Sequence, residues 1–191
     1  MLERKPFIDT AQEWQSYGPH EERPLLPAHV DPQIHASRID RDQPFHLICE
    51  KDTMLVQLAG NAAVEFKASS VNEFPLKPGD FVYVPARTPH RILSHSDGVY
   101  LRYKAREAGL EGVAWYCDGC GSEVFREIWD TAIELPQEAY VRLVEKFNSD
   151  ERYRTCAQCK AVHPQLDIAG MRWTELADEM RSIQSQDQGR T

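Results

Sequence analysis

Four of the five cysteines in this 191-residue chain form two Cys-x-x-Cys pairs, Cys117 with Cys120 and Cys156 with Cys159. Such a pair brings two thiolates to one metal ion from a single tight turn. Two pairs complete a tetrahedral sulfur site, which suits zinc or a single iron. Glycines within and after the first pair allow the chain to curl around the ion. The sequence therefore predicts a structural site for Fe or Zn, in preference to two disulfides or unrelated thiols.

Composition restricts the setting and the partners of the chain. The formal net charge is −8 and the lysines and arginines are scattered, so nucleic acid and anionic membranes are not expected partners. No apolar run is long enough to span a bilayer, and the N-terminus lacks the apolar core of a signal peptide. We therefore expect a cytoplasmic protein, in whose reducing surroundings the paired cysteines favour metal over disulfides. The fifth cysteine, Cys49, lies in an apolar stretch and is expected to be a small buried residue.

Turn signals and periodicity divide the chain into four predicted parts. They are an N-terminal helix and extended arm (1–27), a β domain (28–105), the cysteine module with a helix (106–164), and a C-terminal helix and tail (165–191). The first helix is expected over about Thr10 to Gln15, and the last residues, 184–191, are expected to be disordered.

The β domain is predicted from short apolar strands separated by turn residues. A strand over 54–59 is followed by Gly60-Asn61 and a strand over 63–66, which is the pattern of a tight hairpin. Pro78-Gly79 is a second turn, and it leads into the strand 81–84. Many short strands with such turns indicate a small barrel or sandwich.

Two helices have an apolar face at helical spacing. The helix that begins near Pro136 presents Tyr140, Leu143, Val144 and Phe147. The C-terminal helix presents Leu176, Met180 and Ile183, and we expect it to pack on the body of the protein or on a second subunit.

A second pattern with chemical potential lies in the β domain. Residues 79–90 combine a glycine turn, a strand, a proline and then His90, and this order resembles the second cupin motif. His46, followed by acidic residues and a strand that ends at Gly60, occupies the place of the first cupin motif. Cupins use these two motifs to hold a divalent metal inside their barrel.

Together the two modules resemble the bacterial 3-hydroxyanthranilate 3,4-dioxygenase family, a cupin with a C-terminal rubredoxin-like metal site. The similarity extends over about residues 45–164 and is closest over 109–120 and 150–159. It implies a mainly β, double-stranded β-helix barrel with flanking helices. It also implies cleavage of an aromatic ring by O2 at Fe(II), whose open coordination positions take O2 and the substrate.

The resemblance implies a barrel metal site in which His46, Asp52 and His90 are the ligands and the catalytic residues. The family has a glutamate where Asp52 stands when residues are counted from His46. A count back from the following strand puts Thr53 at that position instead. Glu50 is a further alternative, and a solvated turn without any ligand is another.

The expected substrate-binding positions depart from the family. The family binds its substrate through two arginines and a second glutamate on a later strand. In this chain the first arginine is replaced by Asp42, the second by Ser94, and the glutamate by Lys104 or Ala105. The nearest arginines are Arg91, Arg102 and Arg41. A carboxylate-bearing aromatic needs an arginine fork, so these three are the predicted substrate-binding residues. The departures indicate a divergent member, with an altered substrate or without ring cleavage.

Three functions are therefore compatible with the sequence. The first is a non-heme Fe(II) ring-cleaving dioxygenase that acts with O2 on an aromatic carrying adjacent hydroxyl or amino groups. The second is a cupin metalloenzyme with other chemistry on a small acid. The third is a non-catalytic cupin that serves in binding or assembly. We also expect a homodimer.

Overall fold

The computed structural model describes residues 9–67 and 71–188, in which most of the regular structure is β. The strands are β1 (Arg23–Pro24), β2 (Gln33–Ile39), β3 (His46–Cys49), β4 (Thr53–Ala59), β5 (Ala62–Phe66), β6 (Glu73–Leu76), β7 (Phe81–Val84), β8 (His90–Ser94), β9 (Gly98–Lys104), β10 (Leu110–Tyr116) and β11 (Glu123–Asp130). The α-helices are α1 (Thr10–Glu13), which a 3₁₀ turn (Trp14–Ser16) extends, α2 (Pro136–Ser149), α3 (Glu151–Arg154) and α4 (Trp173–Gln188).

The described strands form two antiparallel sheets that pack face to face. One sheet has the order β1-β2-β9-β4-β7 and the other the order β11-β10-β3-β8-β5-β6. Leu55 and Tyr100 from the first sheet join Val64, Phe66 and Ile92 from the second in one buried apolar cluster. The predicted mainly β cupin architecture is confirmed, and within the described residues it takes the form of two facing sheets.

The connection at Gly60-Asn61 is not the predicted hairpin. β4 pairs with β7 and β9, whereas β5 pairs with β6 and β8, so this turn carries the chain from one sheet to the other. Gly60 has φ +71°, and a Cβ there would lie 2.4 Å from the carbonyl oxygen of Asp97. Gly60 is a turn residue, as predicted, but a local signal does not show which strands pair.

Helix α2 begins at Pro136, as predicted, and packs its apolar face against the inner face of the six-stranded sheet. Tyr140, Leu143, Val144 and Phe147 are all buried. The ring of Phe147 stacks on Trp115 with centroids 4.3 Å apart and planes 10° from parallel.

Helix α4 packs on the body of the protein through its first turns. Trp173 contacts Tyr140 edge to face at 5.2 Å and donates its indole N–H to the carbonyl oxygen of His20. Leu176 is buried, and the side chain of Ile183 lies outside the described residues. The helix continues through Gln188, so the expected disorder is wrong for 184–188, while 189–191 lie outside the described residues.

Within the part of the chain that the structure describes, no helix has the length and apolar content needed to cross a bilayer. The division into four parts stays a prediction.

The stacked pair beneath α2 generates a stability prediction. We expect Phe147→Ala to lower the free energy of unfolding by about 3 to 5 kcal/mol, because it removes a fully buried ring and leaves a cavity against Trp115. Urea denaturation of the metal-loaded protein measures the change. Glu145→Ala, at an exposed position of the same helix, is the control and should alter stability by less than about 0.5 kcal/mol. Equal losses in the two variants would contradict the assigned packing.

Candidate functional site

The four paired cysteines converge at one point. Their sulfur atoms all lie within 4.8 Å of one another, and none of the four forms a disulfide. The Sγ atoms of Cys117 and Cys159 are 3.4 Å apart, and those of Cys120 and Cys156 are 3.5 Å apart. Four thiolates at about 2.3 Å from a central ion would have similar separations, because sulfur atoms at the corners of such a tetrahedron lie about 3.8 Å apart. The predicted four-cysteine cluster is confirmed.

The two cysteine turns have the same backbone geometry. The amide of Cys117 donates to Ser122 and the amide of Gly121 donates back to Cys117. Cys156 repeats both bonds with Ala161 and Lys160. Gly121 and Lys160 occupy equivalent positions, with φ of +71° and +64°, so a lysine takes the left-handed conformation that glycine provides in the first turn.

The donor set of this cluster fits Zn or a single Fe. Four cysteine sulfurs fill a tetrahedron and leave no open position for a substrate, which indicates a structural role. Hydrogen bonds from Ser122 lower the pKa of the Cys120 thiol to about 6, which favours the thiolate that a metal requires. Cys49, in contrast, is buried elsewhere, and burial raises the pKa of its thiol to about 12.

The two histidines predicted to share a metal face opposite sides of one sheet. Leu47 on β3 pairs directly with His90 on β8, so these two side chains share a face and the neighbouring His46 lies on the other. His90 contacts Phe66 in the core between the sheets. The ring of His46 lies on the outer face, with its Nε2 3.7 Å from Glu65. The interior position opposite His90 is therefore apolar.

The acidic residues proposed as third ligands lie outside the space between the sheets. Asp52 is exposed and accepts a hydrogen bond from the amide of Ala86 at 2.8 Å. Glu50 accepts from the amide of Leu110 at 2.6 Å. Thr53 is buried and faces the interior, as the count from the following strand indicated. The predicted set of His46, Asp52 and His90 is not formed.

The space between the sheets instead contains a buried network of charged side chains. Arg102 forms an ion pair with Glu22 at 2.7 Å, and Lys104 forms one with Glu111 at 2.7 Å. Tyr140 donates to Glu22 at 3.3 Å and links the network to α2. Two cations and two carboxylates balance in charge, which is the condition under which charges are tolerated in a protein interior.

Arg102 also forms a hydrogen bond to the ring nitrogen of His90 that would have to bind a metal. The Nδ1 of His90 lies 3.0 Å from the carbonyl oxygen of Thr88, so it carries the hydrogen and donates. The lone pair of Nε2 then accepts from an NH of Arg102 at 2.7 Å. Thr53 lies 3.5 Å from the same nitrogen of Arg102. A guanidinium thus takes the place beside His90 where a cation would bind.

The pKa values in the network follow from burial and pairing. Burial alone would raise the pKa of Glu22, but Arg102 and Lys104 outweigh it and lower the value to about 2. Burial, and next the charge of Arg102, lowers the pKa of His90 to about 3. Burial would lower the pKa of Arg102, but Glu22 raises it. Glu22, Arg102 and Lys104 are therefore charged at neutral pH, whereas His90 is neutral.

The three predicted substrate-binding arginines do not converge. Arg102 is fully buried and is paired with Glu22 and His90, so it is not available to a substrate. Arg91 donates to Glu65 at 2.5 Å on the outer face of the six-stranded sheet. Arg41 bonds to Asp40 and to the carbonyl oxygen of Ala169 at the surface.

The residues between the sheets do not fit the iron site that the cupin resemblance implies. Among the described residues, the four cysteines form the one group of three or more His, Cys, Asp or Glu side chains placed to hold a metal. Leu47 has no donor atom, His90 is bonded to Arg102, and Glu22 and Glu111 are paired with cations.

Comparison with known proteins reveals curated relatives. No protein-family model matches the chain. The 3-hydroxyanthranilate 3,4-dioxygenase of Brucella anthropi is 32% identical over 114 residues, which are 56% of this chain and 62% of that protein. The protein of the same name from Ruegeria pomeroyi is 30% identical over 116 residues, 56% of this chain and 61% of its own length.

This chain is therefore similar in sequence to 3-hydroxyanthranilate 3,4-dioxygenases. The similarity spans less than two thirds of the length of these relatives. Among solved structures, a hydroquinone 1,2-dioxygenase has 18% identity and a TM-score of 0.46, covering 52% of this chain and 72% of its own. A cupin-2 domain protein from Shewanella frigidimarina has 12% identity and a TM-score of 0.44, with 51% and 93% covered.

The low pKa of His90 generates a prediction about acid stability. In the folded state His90 stays neutral down to about pH 3, whereas in the unfolded chain it takes up a proton below its ordinary pKa of 6.5. The contribution of the neutral His90 to the free energy of unfolding is thus complete above about pH 6.5 and is lost as the pH falls toward 3. We expect His90→Gln, which retains an acceptor for Arg102, to reduce the pH slope of the unfolding free energy by about 1.4 kcal/mol per pH unit.

Urea denaturation at several pH values between about 4 and 6 measures this slope. His29→Gln, which changes an exposed histidine, serves as the control and should leave the slope as in the wild type. A slope that is the same in all three proteins would contradict the burial of a neutral His90.

Proposed function

We propose that this chain is a non-catalytic, cupin-type metalloprotein that serves in binding or assembly, with its one metal ion held by the four cysteines. The observation that carries the proposal is the 2.7 Å contact between Arg102 and Nε2 of His90. One lone pair cannot serve both a guanidinium and a metal ion. The interior is therefore stabilised by its own cations, and Cys117, Cys120, Cys156 and Cys159 are left as the metal-binding residues.

Ring cleavage at iron makes demands that this interior does not meet. An oxygenase iron of this kind needs several protein ligands on one side and open positions on the other for O2 and substrate. Here Leu47 pairs directly with His90, and Thr53, on the following strand, lies 3.5 Å from the nitrogen of Arg102 that bonds to His90. We infer that the divergence from the relatives includes loss of the metal ligands, not only a change of substrate.

A metal ion bound by the four cysteines would stabilise the folded chain. The first turn follows β10 and the second follows α3, so an ion at the four sulfurs ties the sheet to the chain after α2. Because an unfolded chain has no preformed site, the binding free energy of the ion adds to the free energy of folding.

A second candidate is the ring-cleaving dioxygenase itself, with Fe(II), O2 and a small aromatic substrate. The names and the 30–32% identity of the relatives favour it. For this function Arg102 would have to release His90, and further ligands would have to reach the interior. Metal stoichiometry and O2 uptake separate the two candidates. A homodimer stays a prediction, which sedimentation would check.

The proposed function predicts one metal ion per chain. We expect elemental analysis of protein purified without added metal to give about one Fe or Zn per chain. Cys120→Ser should lower both the metal content and the unfolding midpoint, because three sulfurs bind the ion more weakly. His90→Gln and Asp52→Ala are the matched variants, and both should retain the full metal content.

A second equivalent of metal that is lost in His90→Gln would contradict the proposal. So would O2 consumption by the Fe(II)-treated protein with ortho-aminophenols or catechols at ordinary enzymatic rates, about 1 per second or more. Both results together would support the dioxygenase.

A further inference from the structure

A cavity of about 230 Å³ lies between the outer face of the six-stranded sheet and the first cysteine turn. His46 and Arg91, which the sequence assigned to the barrel, both line it. Glu65, Lys67 and Tyr116 line the same cavity, with Asp118 on the side of the cysteine turn. Neither His90 nor the charged residues of the ion-pair network line the cavity.

The cavity contains a buried nitrogen without a hydrogen-bond partner among the described residues. His46 is 3% exposed, and its Nε2 makes no hydrogen bond to residues 9–67 or 71–188. The ring packs edge to face against Tyr116 at 4.9 Å and also bonds to the backbone of Ala114. Since that bond uses the other ring nitrogen, Nε2 presents a bare lone pair. A buried acceptor without a donor is costly, so a ligand that supplies an N–H or O–H would be stabilised there.

A cationic group lies beside this acceptor. Glu65 bonds to both Lys67 and Arg91 at 2.5 Å, so this cluster of three residues carries one net positive charge. Arg91 uses its Nε for Glu65, and its terminal NH2 groups have no hydrogen bond to the described residues. Its side chain and that of Lys67 are about 30% exposed and can be reached from solvent. A carboxylate matches the fork of a guanidinium.

We propose that this cavity binds a small carboxylic acid that carries an amino or hydroxyl group next to the carboxylate. The carboxylate would contact Arg91 and Lys67, and the neighbouring N–H or O–H would donate to Nε2 of His46. The cavity has both signs of charge, because Glu65, whose carboxylate lies 3.7 Å from Nε2 of His46, and Asp118 also line it. An ammonium therefore fits the acceptor side as well as a hydroxyl does. The volume limits the ligand to a few heavy atoms or a single ring.

Three acids of one carbon skeleton test this proposal in the metal-loaded full chain. L-alanine, L-lactate and propionate differ only in bearing an ammonium group, a hydroxyl group or a hydrogen beside the carboxylate. Titrations followed by ¹⁵N–¹H NMR measure millimolar affinities and locate the site. We expect alanine or lactate to bind about five- to tenfold more tightly than propionate, with shifts near residues 44–46 and 65–67.

Two variants separate the parts of the site. Arg91→Gln should weaken the binding of all three acids at least tenfold, whereas Arg87→Gln, at an exposed arginine that does not line the cavity, should leave binding unchanged. His46→Phe retains a ring against Tyr116 but has no acceptor, so it should remove the preference over propionate and leave propionate binding intact. An unchanged unfolding midpoint in each variant shows that the fold is retained.

Equal affinity for the three acids in the wild type would overturn the proposal, as would equal binding by Arg91→Gln and Arg87→Gln. The absence of binding at tens of millimolar would do so too. The role of the cysteine site does not enter this test, since metal stoichiometry reports on that site alone.

Discussion

The ion pair between Arg102 and Glu22 is the interaction on which the interior of this protein depends. Both side chains are almost fully buried, so each charge needs the other. Glu22 belongs to the N-terminal arm, Arg102 to the five-stranded sheet, and Tyr140, which donates to Glu22, to helix α2. One carboxylate thus connects three parts of the chain, and its position determines what else the interior can contain.

The chemistry of the site follows from that position. With Glu22 and Glu111 neutralised by Arg102 and Lys104, the interior has no spare negative charge to attract a divalent ion. His90 remains at its cupin position but accepts a hydrogen bond from Arg102. The guanidinium of Arg102 thus lies beside the His90 nitrogen that could otherwise bind a metal ion. The cysteine cluster, which lies outside the sheets, is independent of this change.

Much of the fold could be predicted from local patterns, because turns, strand alternation and the two Cys-x-x-Cys pairs are local in sequence. The residues that line the space between the sheets could not be predicted in this way, because strand register decides which face of the sheet a side chain lies on. His46 and Leu47 are neighbours in the sequence, yet His46 lies on the outer face of the sheet and Leu47 on the inner one. The alternatives Asp52 and Thr53 differ by the same single step, and the structure places Thr53 inside.

The buried charges could have been found in part. On β9, Tyr100, Arg102 and Lys104 alternate with less buried residues, and such a period of two puts both cations on the inner face. Their partner Glu22 could not be recognised, because it lies in an arm without periodicity and meets Arg102 only in the folded chain. A pairing this distant in sequence has no local signal.

The state of the His90 side chain tests the account most directly. Imidazole ¹⁵N NMR of the full chain, with the cysteine site loaded and Fe(II) or Zn²⁺ added in excess, reports which ring nitrogen carries hydrogen and whether the other binds a metal. The account predicts that Nδ1 remains protonated and that Nε2 keeps its hydrogen bond from Arg102, unaffected by the added ion. Coordination of Nε2 by the metal would contradict it and would restore a metal centre between the sheets.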